Sequence, residues 1–309
     1  MTKYGFRSER EKLFPSMLVL DVSKVCNSRC IHCAYHIVKD DPRFRRSPNF
    51  MEWEIYKKIA DECASYHPLN FRFTCHGEPL LNPKILDMIG YAKSKGIAPV
   101  SINTNGSLLN MDKIQRLIDC QIDIIEISLD ALSREKYNLI RRTLDYDSVI
   151  DNIERLIEYR NMSKAKTSIF VSIIDQPEVK DEIEDFIKYW GKRVDNVIKR
   201  VYFTHDGLTD PKKVTYRIPR ERHPCPFLWR RMVVTSDGIP KFCLEDWFDE
   251  KITPFTLNES IHKIWTSDWY RNIREIHLKG EFCELKFCSH CPDWWAHSWE
   301  KNYLTALGI

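Results

Sequence analysis

From Ser16 to about Phe203, short runs rich in β-branched and aromatic residues alternate with stretches whose apolar residues recur at helical spacing. The runs Leu18–Val22, Phe71–Thr74, Pro99–Asn103, Asp123–Ser128, Ser168–Ile174 and Val197–Phe203 read as strands. Between them, Ile55, Ile59 and Cys63 fall at i, i+4 and i+8, and Val149, Ile150, Ile153 and Ile157 share one face, so each stretch presents a single stripe to a core. Cys63 is then a core residue. Strand–helix alternation implies parallel strands joined by helical crossovers. Six units are more than a flavodoxin-like sheet needs and fewer than the eight of a closed barrel. The expected fold is therefore α/β, a partial, open (β/α)6 barrel.

Beyond Phe203 the pattern changes. Pro211, Pro219, Pro224, Pro226 and Pro240 break any long helix, and basic residues gather between Lys212 and Arg222. The expected organisation is an N-terminal extension (1–15), the barrel (16–210), a linker (211–224) and a small cysteine-rich unit (225–309). Within the last, Met232–Thr235 and Ile239–Cys243 flank Ser236-Asp237-Gly238 as a hairpin, and helices are expected near Ser260–Ile264 and Ser267–Leu278. So small a unit is expected to depend on a metal for stability.

Composition narrows the function classes. The 309 residues carry 47 basic and 44 acidic side chains, a formal charge of +3, too weak a field to make nucleic acid the main partner. Mean hydropathy is −0.42, and no apolar stretch approaches the roughly 18 residues of a spanning helix. The charged N-terminus lacks the apolar region of a secretory signal, so a cytoplasmic location without membrane contact is expected. Eleven cysteines, an odd number, fit metal ligation better than a disulfide framework.

Those cysteines form two groups. Cys26, Cys30 and Cys33 follow the first strand as C-x3-C-x2-C, and Cys225, Cys243, Cys283, Cys288 and Cys291 lie near the other end. Three thiolates leave one metal position open. An iron–sulfur cube would then expose its fourth iron to a small molecule, while zinc or unligated thiols are the other readings that spacing allows.

The segments that follow later strands resemble the radical SAM superfamily. Cys75-His76-Gly77-Glu78-Pro79-Leu80-Leu81 resembles its GGEPLL motif, with His76 in place of the first glycine. Asn103-Thr104-Asn105-Gly106 is similar to its NTNG segment, and Ser128-Leu129-Asp130-Ala131 to its SLDA motif, with Tyr137 and Arg141 beyond it. Each piece alone also suits a turn or a helix cap. Their order at successive strand ends, on one rim, is what carries the resemblance, which covers roughly residues 17–174.

The resemblance implies a [4Fe–4S] cluster on Cys26, Cys30 and Cys33, with S-adenosylmethionine chelating the unique iron. It places Glu78 at the methionine ammonium, and Asn103 and Asn105 at the ribose or carboxylate. Ser128 is placed at the sugar or methionine, and Arg141 at the carboxylate. His32 stands where an aromatic residue commonly packs on adenine. Cys75 is expected to pack rather than ligate.

Cys225, twelve residues, Gly238, four residues and Cys243, then Cys288 and Cys291 as C-x2-C, resemble the SPASM/Twitch extension of that superfamily, the shorter Twitch form fitting better. This implies an auxiliary [4Fe–4S] cluster on Cys225, Cys243, Cys288 and Cys291. Structural zinc is the alternative for such a knuckle. Cys283 is left as a ligand, a hydrogen donor or a packed thiol.

The implied enzyme is a radical SAM oxidoreductase with two clusters, fed by a flavodoxin- or ferredoxin-type donor. It cleaves S-adenosylmethionine to a 5′-deoxyadenosyl radical and abstracts a substrate hydrogen. Two-electron dehydrogenation of a sugar or aminocyclitol alcohol is the leading expectation, and epimerisation or cross-linking of a ribosomally made peptide the alternative. A zinc-stabilised binding module is the non-enzymatic reading. No catalytic base is identified. His205, Asp206, Arg217 and Glu221 read as a solvated charged loop rather than as site residues, and the run from Lys212 to Arg222 as a weak candidate for a phosphorylated substrate.

Overall fold

The computed structural model describes residues 3–44, 48–74, 76–216, 218–248, 254–256 and 258–300. Strands β1 (Met17–Leu20), β2 (Asn70–Phe73), β3 (Val100–Thr104), β4 (Ile124–Ser128), β5 (Ser168–Asp175) and β6 (Asn196–Val201) appear where the apolar runs place them. Two more, β7 (Arg231–Val234) and β8 (Pro240–Lys241), complete one sheet in the order β6-β5-β4-β3-β2-β1-β7-β8. All neighbours are parallel except β7 and β8. Helices Trp53–Cys63, Ile85–Ser94, Met111–Asp119, Tyr146–Met162 and Ile183–Trp190 form the crossovers, with Arg134–Arg141 as an extra helix after β4.

Alternation along the strands separates two environments. Leu18, Leu20, Phe71, Phe73, Ile125 and Ile127 face the helices and merge with Tyr56, Ile59, Cys63, Val149 and Ile153 in one core. The intervening residues, on the opposite, inner face, are polar on β2 and β3 and include Glu126 and Ser128 on β4, beside apolar Val19, Ile124 and Phe170. Ser101 Oγ donates to Asn70 Oδ1 at 3.0 Å, Ser128 Oγ to Asn103 Oδ1 at 2.8 Å, and Arg72 Nη2 to Glu126 Oε2 at 2.8 Å. Arg200 reaches the other oxygen of Glu126 through Nε at 3.1 Å.

The hairpin expected in the small C-terminal unit instead extends the barrel sheet. β7 pairs with β1 from Met17↔Arg231 to Leu20↔Val234, and Gly238 turns the chain at φ +81° into a shortened β8. Met232, Val233 and Val234 are all fully buried, the continuous apolar run of a parallel strand covered on both faces. Helices Ile261–Trp265 and Asp268–Lys279 then return to the barrel's outside. There both Glu62 carboxylate oxygens accept the backbone N–H groups of Ile261 and His262 at 2.9 Å, and Trp265 Nε1 donates to Glu11 O at 2.8 Å.

Glu126 supplies a stability test. Burial opposes its ionisation, but Arg200 and Arg72 outweigh that and hold its pKa at about 2, against an ordinary 4.5. A depressed carboxyl contributes stability that is complete above its unfolded pKa and is lost as pH falls through the folded one. Glu126→Gln should lower unfolding free energy by about 3 kcal/mol at pH 7, because two guanidinium groups lose their shared anion. Urea titrations should show the wild type losing that advantage between pH 4.5 and about 2, while the variant changes less over the same interval.

Candidate active site

The loop after β1 is held by contacts from both sides. Glu78 N donates to Val25 O at 2.8 Å, and a Cβ on Gly77 would lie deep inside van der Waals contact with the carbonyl oxygens of Ser23 and Val25, and 2.8 Å from Val25 N. Only glycine permits this approach. From the other side, Ile31 N donates to Ile140 O at 3.0 Å and Thr143 Oγ1 to Asn27 O at 2.8 Å. Cys30 Sγ receives Arg141 Nη1 at 3.2 Å and sits 2.9 Å from Ser28 Oγ, while Ser28 N lies 3.4 Å from Cys26 Sγ. Cys26, Cys30 and Cys33 interact electrostatically with one another, and burial pushes the free thiols of Cys26 and Cys33 up to about 11 and about 12. Loading such a site with metal therefore releases protons.

Glu78 is buried beside this loop. Its Oε1 accepts from Leu80 N at 3.0 Å and Thr104 Oγ1 at 2.7 Å, and its Oε2 from Asn105 N at 2.8 Å. Burial raises its pKa and these donors partly offset the rise. Two carboxylate oxygens offer about four acceptor positions, so Oε2 retains capacity for one more donor. Asn103 and Ser128 are paired at adjacent strand ends. Asn105 is committed to the loop, its amide donating to Asn27 Oδ1 at 2.9 Å and its carbonyl accepting from Ser107 Oγ at 2.7 Å. Arg141 Nη2 is bound to Ser128 O at 2.6 Å and to Asp130 Oδ2 at 2.5 Å. His32 Nε2 is 3.5 Å from the same Asp130 oxygen, and burial pushes its pKa down to about 4, so the ring is neutral near pH 7. Cys75 and Arg217 lie outside the described residues.

The motifs did not single out Gln176 or Ser172, although they did point to Tyr137 and Arg141. Gln176, directly after β5, is fully buried with neither amide atom hydrogen-bonded, and Ser172 Oγ, Tyr137 OH and Arg141 Nε are also buried without a partner. Buried polar groups in this condition are satisfied by a bound ligand or water. His205 departs from the solvated loop expected of it: its Nδ1 meets Glu245 Oε2 at 2.6 Å and its Nε2 meets His32 O at 3.1 Å. Asp206 and Glu221 are exposed.

At the second cysteine group, Cys225 and Cys243 interact electrostatically, and burial raises Cys225 to about 11. Cys225 N donates to His277 Nδ1 at 3.2 Å. Arg222 stacks 4.1 Å from the Phe282 ring centroid and donates to Ser289 O at 3.5 Å, tying the segment before Cys225 to the Cys288–Cys291 turn. Lys213 pairs with Glu178. The basic run is thus occupied in part by internal contacts. Cys283 is exposed. Among the described residues no group of three or more His, Cys, Asp or Glu side chains converges closely enough for a single ion. A cubane, by contrast, takes its thiolates at separate corners.

The donor set fits the implied cofactors: three thiols in one loop after β1, a buried carboxylate with spare acceptor capacity and buried polar groups without a partner. Gly77→Ala should displace the first cysteine loop and leave the second. Iron per chain should then fall by about four, measured together with sulfide after anaerobic reconstitution.

Comparison with known proteins agrees. Residues 20–202 match the family model of the radical SAM superfamily, and residues 225–292 match SPASM, an iron–sulfur cluster-binding domain. Over 171 residues the chain is 32% identical to GTP 3′,8-cyclase of Clostridium perfringens (strain SM101), covering 55% of this chain and 50% of that protein. The chain spans about half the length of the curated relatives it matches in this way. Among solved structures, BtrN in complex with AdoMet and 2-DOIA superposes with a TM-score of 0.62 at 19% identity, covering 93% of this chain and 96% of that one. Streptococcus suis SuiB bound to precursor peptide SuiA superposes at 0.68 with 16% identity, covering 85% and 67%. These two likenesses are of fold. The chain belongs to the radical SAM superfamily, with S-adenosylmethionine and a [4Fe–4S] cluster as its cofactors and auxiliary iron–sulfur binding in its C-terminal SPASM domain.

Proposed function

We propose that the protein is a radical SAM oxidoreductase that dehydrogenates an alcohol carbon of a small molecule, a sugar or an aminocyclitol. The radical cluster is assigned to Cys26, Cys30 and Cys33, and one auxiliary [4Fe–4S] cluster of Twitch type to Cys225, Cys243, Cys288 and Cys291. A flavodoxin- or ferredoxin-type protein is the assigned electron donor. When bound, the first cluster and S-adenosylmethionine supply a carbon-centred 5′-deoxyadenosyl radical.

The chain's own residues do the rest. Glu78 Oε2 has capacity for the methionine ammonium, and the Asn103–Ser128 pair presents polar groups to the nucleoside side. Arg141, already on Cys30 Sγ and Asp130, stiffens the cysteine loop and keeps a buried Nε–H for an anionic group. In the overall reaction the substrate carbon loses a hydrogen atom, its hydroxyl loses a proton, and one electron remains for the auxiliary site.

The observation that supports oxidation is the attachment of the auxiliary cysteine segment to the barrel itself. β7, between Cys225 and Cys243, pairs with β1, whose end carries Cys26. An electron acceptor built onto the strand next to the radical loop suits a reaction that must shed an electron.

The test is anaerobic turnover with reductant and candidate substrates deuterated at single carbons, with GTP and peptides included. Deuterium should appear in 5′-deoxyadenosine, with a product two mass units lighter. An unchanged mass with inverted stereochemistry would show epimerisation instead. Cys243→Ala should still form deuterated 5′-deoxyadenosine, while the oxidised product falls by at least about 100-fold, or about 2.7 kcal/mol in the barrier to that step. Equal loss of both products would place the auxiliary site in folding rather than in electron transfer.

A further inference from the structure

The turn that follows β6 is built unlike an ordinary exposed connection. His205 and Asp206 adopt φ +52° and +61°, consecutive left-handed conformations in residues other than glycine, ahead of Gly207 at +82°. Such a backbone persists only where surrounding contacts over-determine it, and here they do. Asp293 Oδ1 accepts from Thr204 N at 2.8 Å and from Thr204 Oγ1 at 3.1 Å, and its Oδ2 accepts from Asp206 N at 3.2 Å. His205 spans the remaining gap, with one ring nitrogen on the Glu245 carboxylate and the other on the carbonyl oxygen of His32. Neither partner can donate, so both ring nitrogens must carry hydrogen and the ring is an imidazolium. Its pKa is raised, Glu245 outweighing the effect of burial. The Trp247 ring closes the edge of the imidazole at 5.3 Å between centroids and 90°.

The positions of these partners in the chain give the turn its meaning. His32 precedes Cys33, Glu245 lies two residues after Cys243, and Asp293 lies two residues after Cys291. One four-residue turn therefore holds the radical-cluster loop and both halves of the auxiliary cysteine segment. We propose that His205 is a positioning residue, a cation that fastens the loop of Cys26, Cys30 and Cys33 to the Cys243 segment and so sets the separation of the two iron–sulfur sites. The inference uses the assignment of two clusters and is independent of the substrate and of the reaction's outcome.

The test uses the reconstituted full chain as wild type, His205→Ala and His205→Arg, the arginine being able to donate to a carboxylate and a carbonyl together. Iron and sulfide counts report the cluster assignment separately: fewer than two cubes in wild type would fail that assignment. With both cubes present, amide exchange in residues 28–34 and 243–248 should accelerate together by about tenfold in His205→Ala, with β3 and β4 unchanged. Pulsed dipolar EPR between the two reduced clusters should give one narrow distance in wild type, a distribution about twice as wide in His205→Ala, and recovery in His205→Arg. If the alanine variant does not load iron, Glu245→Gln, which removes the charge pair and keeps both side chains, should show the same paired effect. Exchange rising at only one loop, or a distance distribution unchanged by the substitution, overturns the proposal.

Discussion

Strand β1 carries the constraint from which the rest of the site follows, because it is hydrogen-bonded in parallel on both edges, to β2 and to β7. Parallel neighbours all end at the same rim, so the loop leaving β1 emerges between the loop leaving β2 and the segment leaving β7. On one edge this sets Gly77 against the carbonyl groups of Ser23 and Val25 and brings Glu78 beside the first cysteine loop. On the other it places the Thr235–Gly238 turn at the same rim, while the link from the Cys243 segment to the first loop is made by side chains, Glu245 to His205 and His205 to His32 O.

The inner face of the sheet carries buried charges among apolar Val19, Ile124 and Phe170, and those charges and the ones at its rim are paired. Glu126 lies between Arg72 and Arg200, and Asp130 between Arg141 and the His32 ring. Buried charges are tolerated when paired and hydrogen-bonded, and costly otherwise. Buried groups without a partner occur on strands and helices alike, from Asn70 Nδ2 and Ser172 Oγ to Trp190 Nε1 and Tyr270 OH, and they include Arg141 Nε beside the first cysteine loop and the Gln176 amide directly after β5.

The two cysteine groups are built differently. The first is a tight, contiguous loop in which Cys30 is contacted by Ser28 from within and by Arg141 from the helix after β4. The second is assembled from distant pieces, and its geometry depends on Arg222, His277 and the carboxylates that follow Cys243 and Cys291. Both groups therefore depend on side chains remote in sequence: Gly77, Arg141 and Thr143 for the first, and Arg222, His277 and the following carboxylates for the second.

Six strands, their crossovers and the first cysteine loop were legible because each rests on short-range chemistry: period-2 and period-3.6 burial, and three thiols within eight residues. Glu78 was legible through the likeness of residues 75–81 to the superfamily's GGEPLL motif, and the structure adds that Gly77 beside it must approach the first loop closely. The docking of β7 on β1 was not, since an apolar run before a Ser-Asp-Gly turn specifies a hairpin and leaves open which edge it joins. Nor was His205, whose partners lie 173 residues before it and 40 after it, joined through a left-handed turn that no local preference favours. The sequence by itself determined which residues can ligate, accept or pack, because those are properties of a side chain and its immediate neighbours. Only the tertiary structure decided which of them share a rim, because that depends on strand order, and strand order is set by surfaces that meet after the chain has folded.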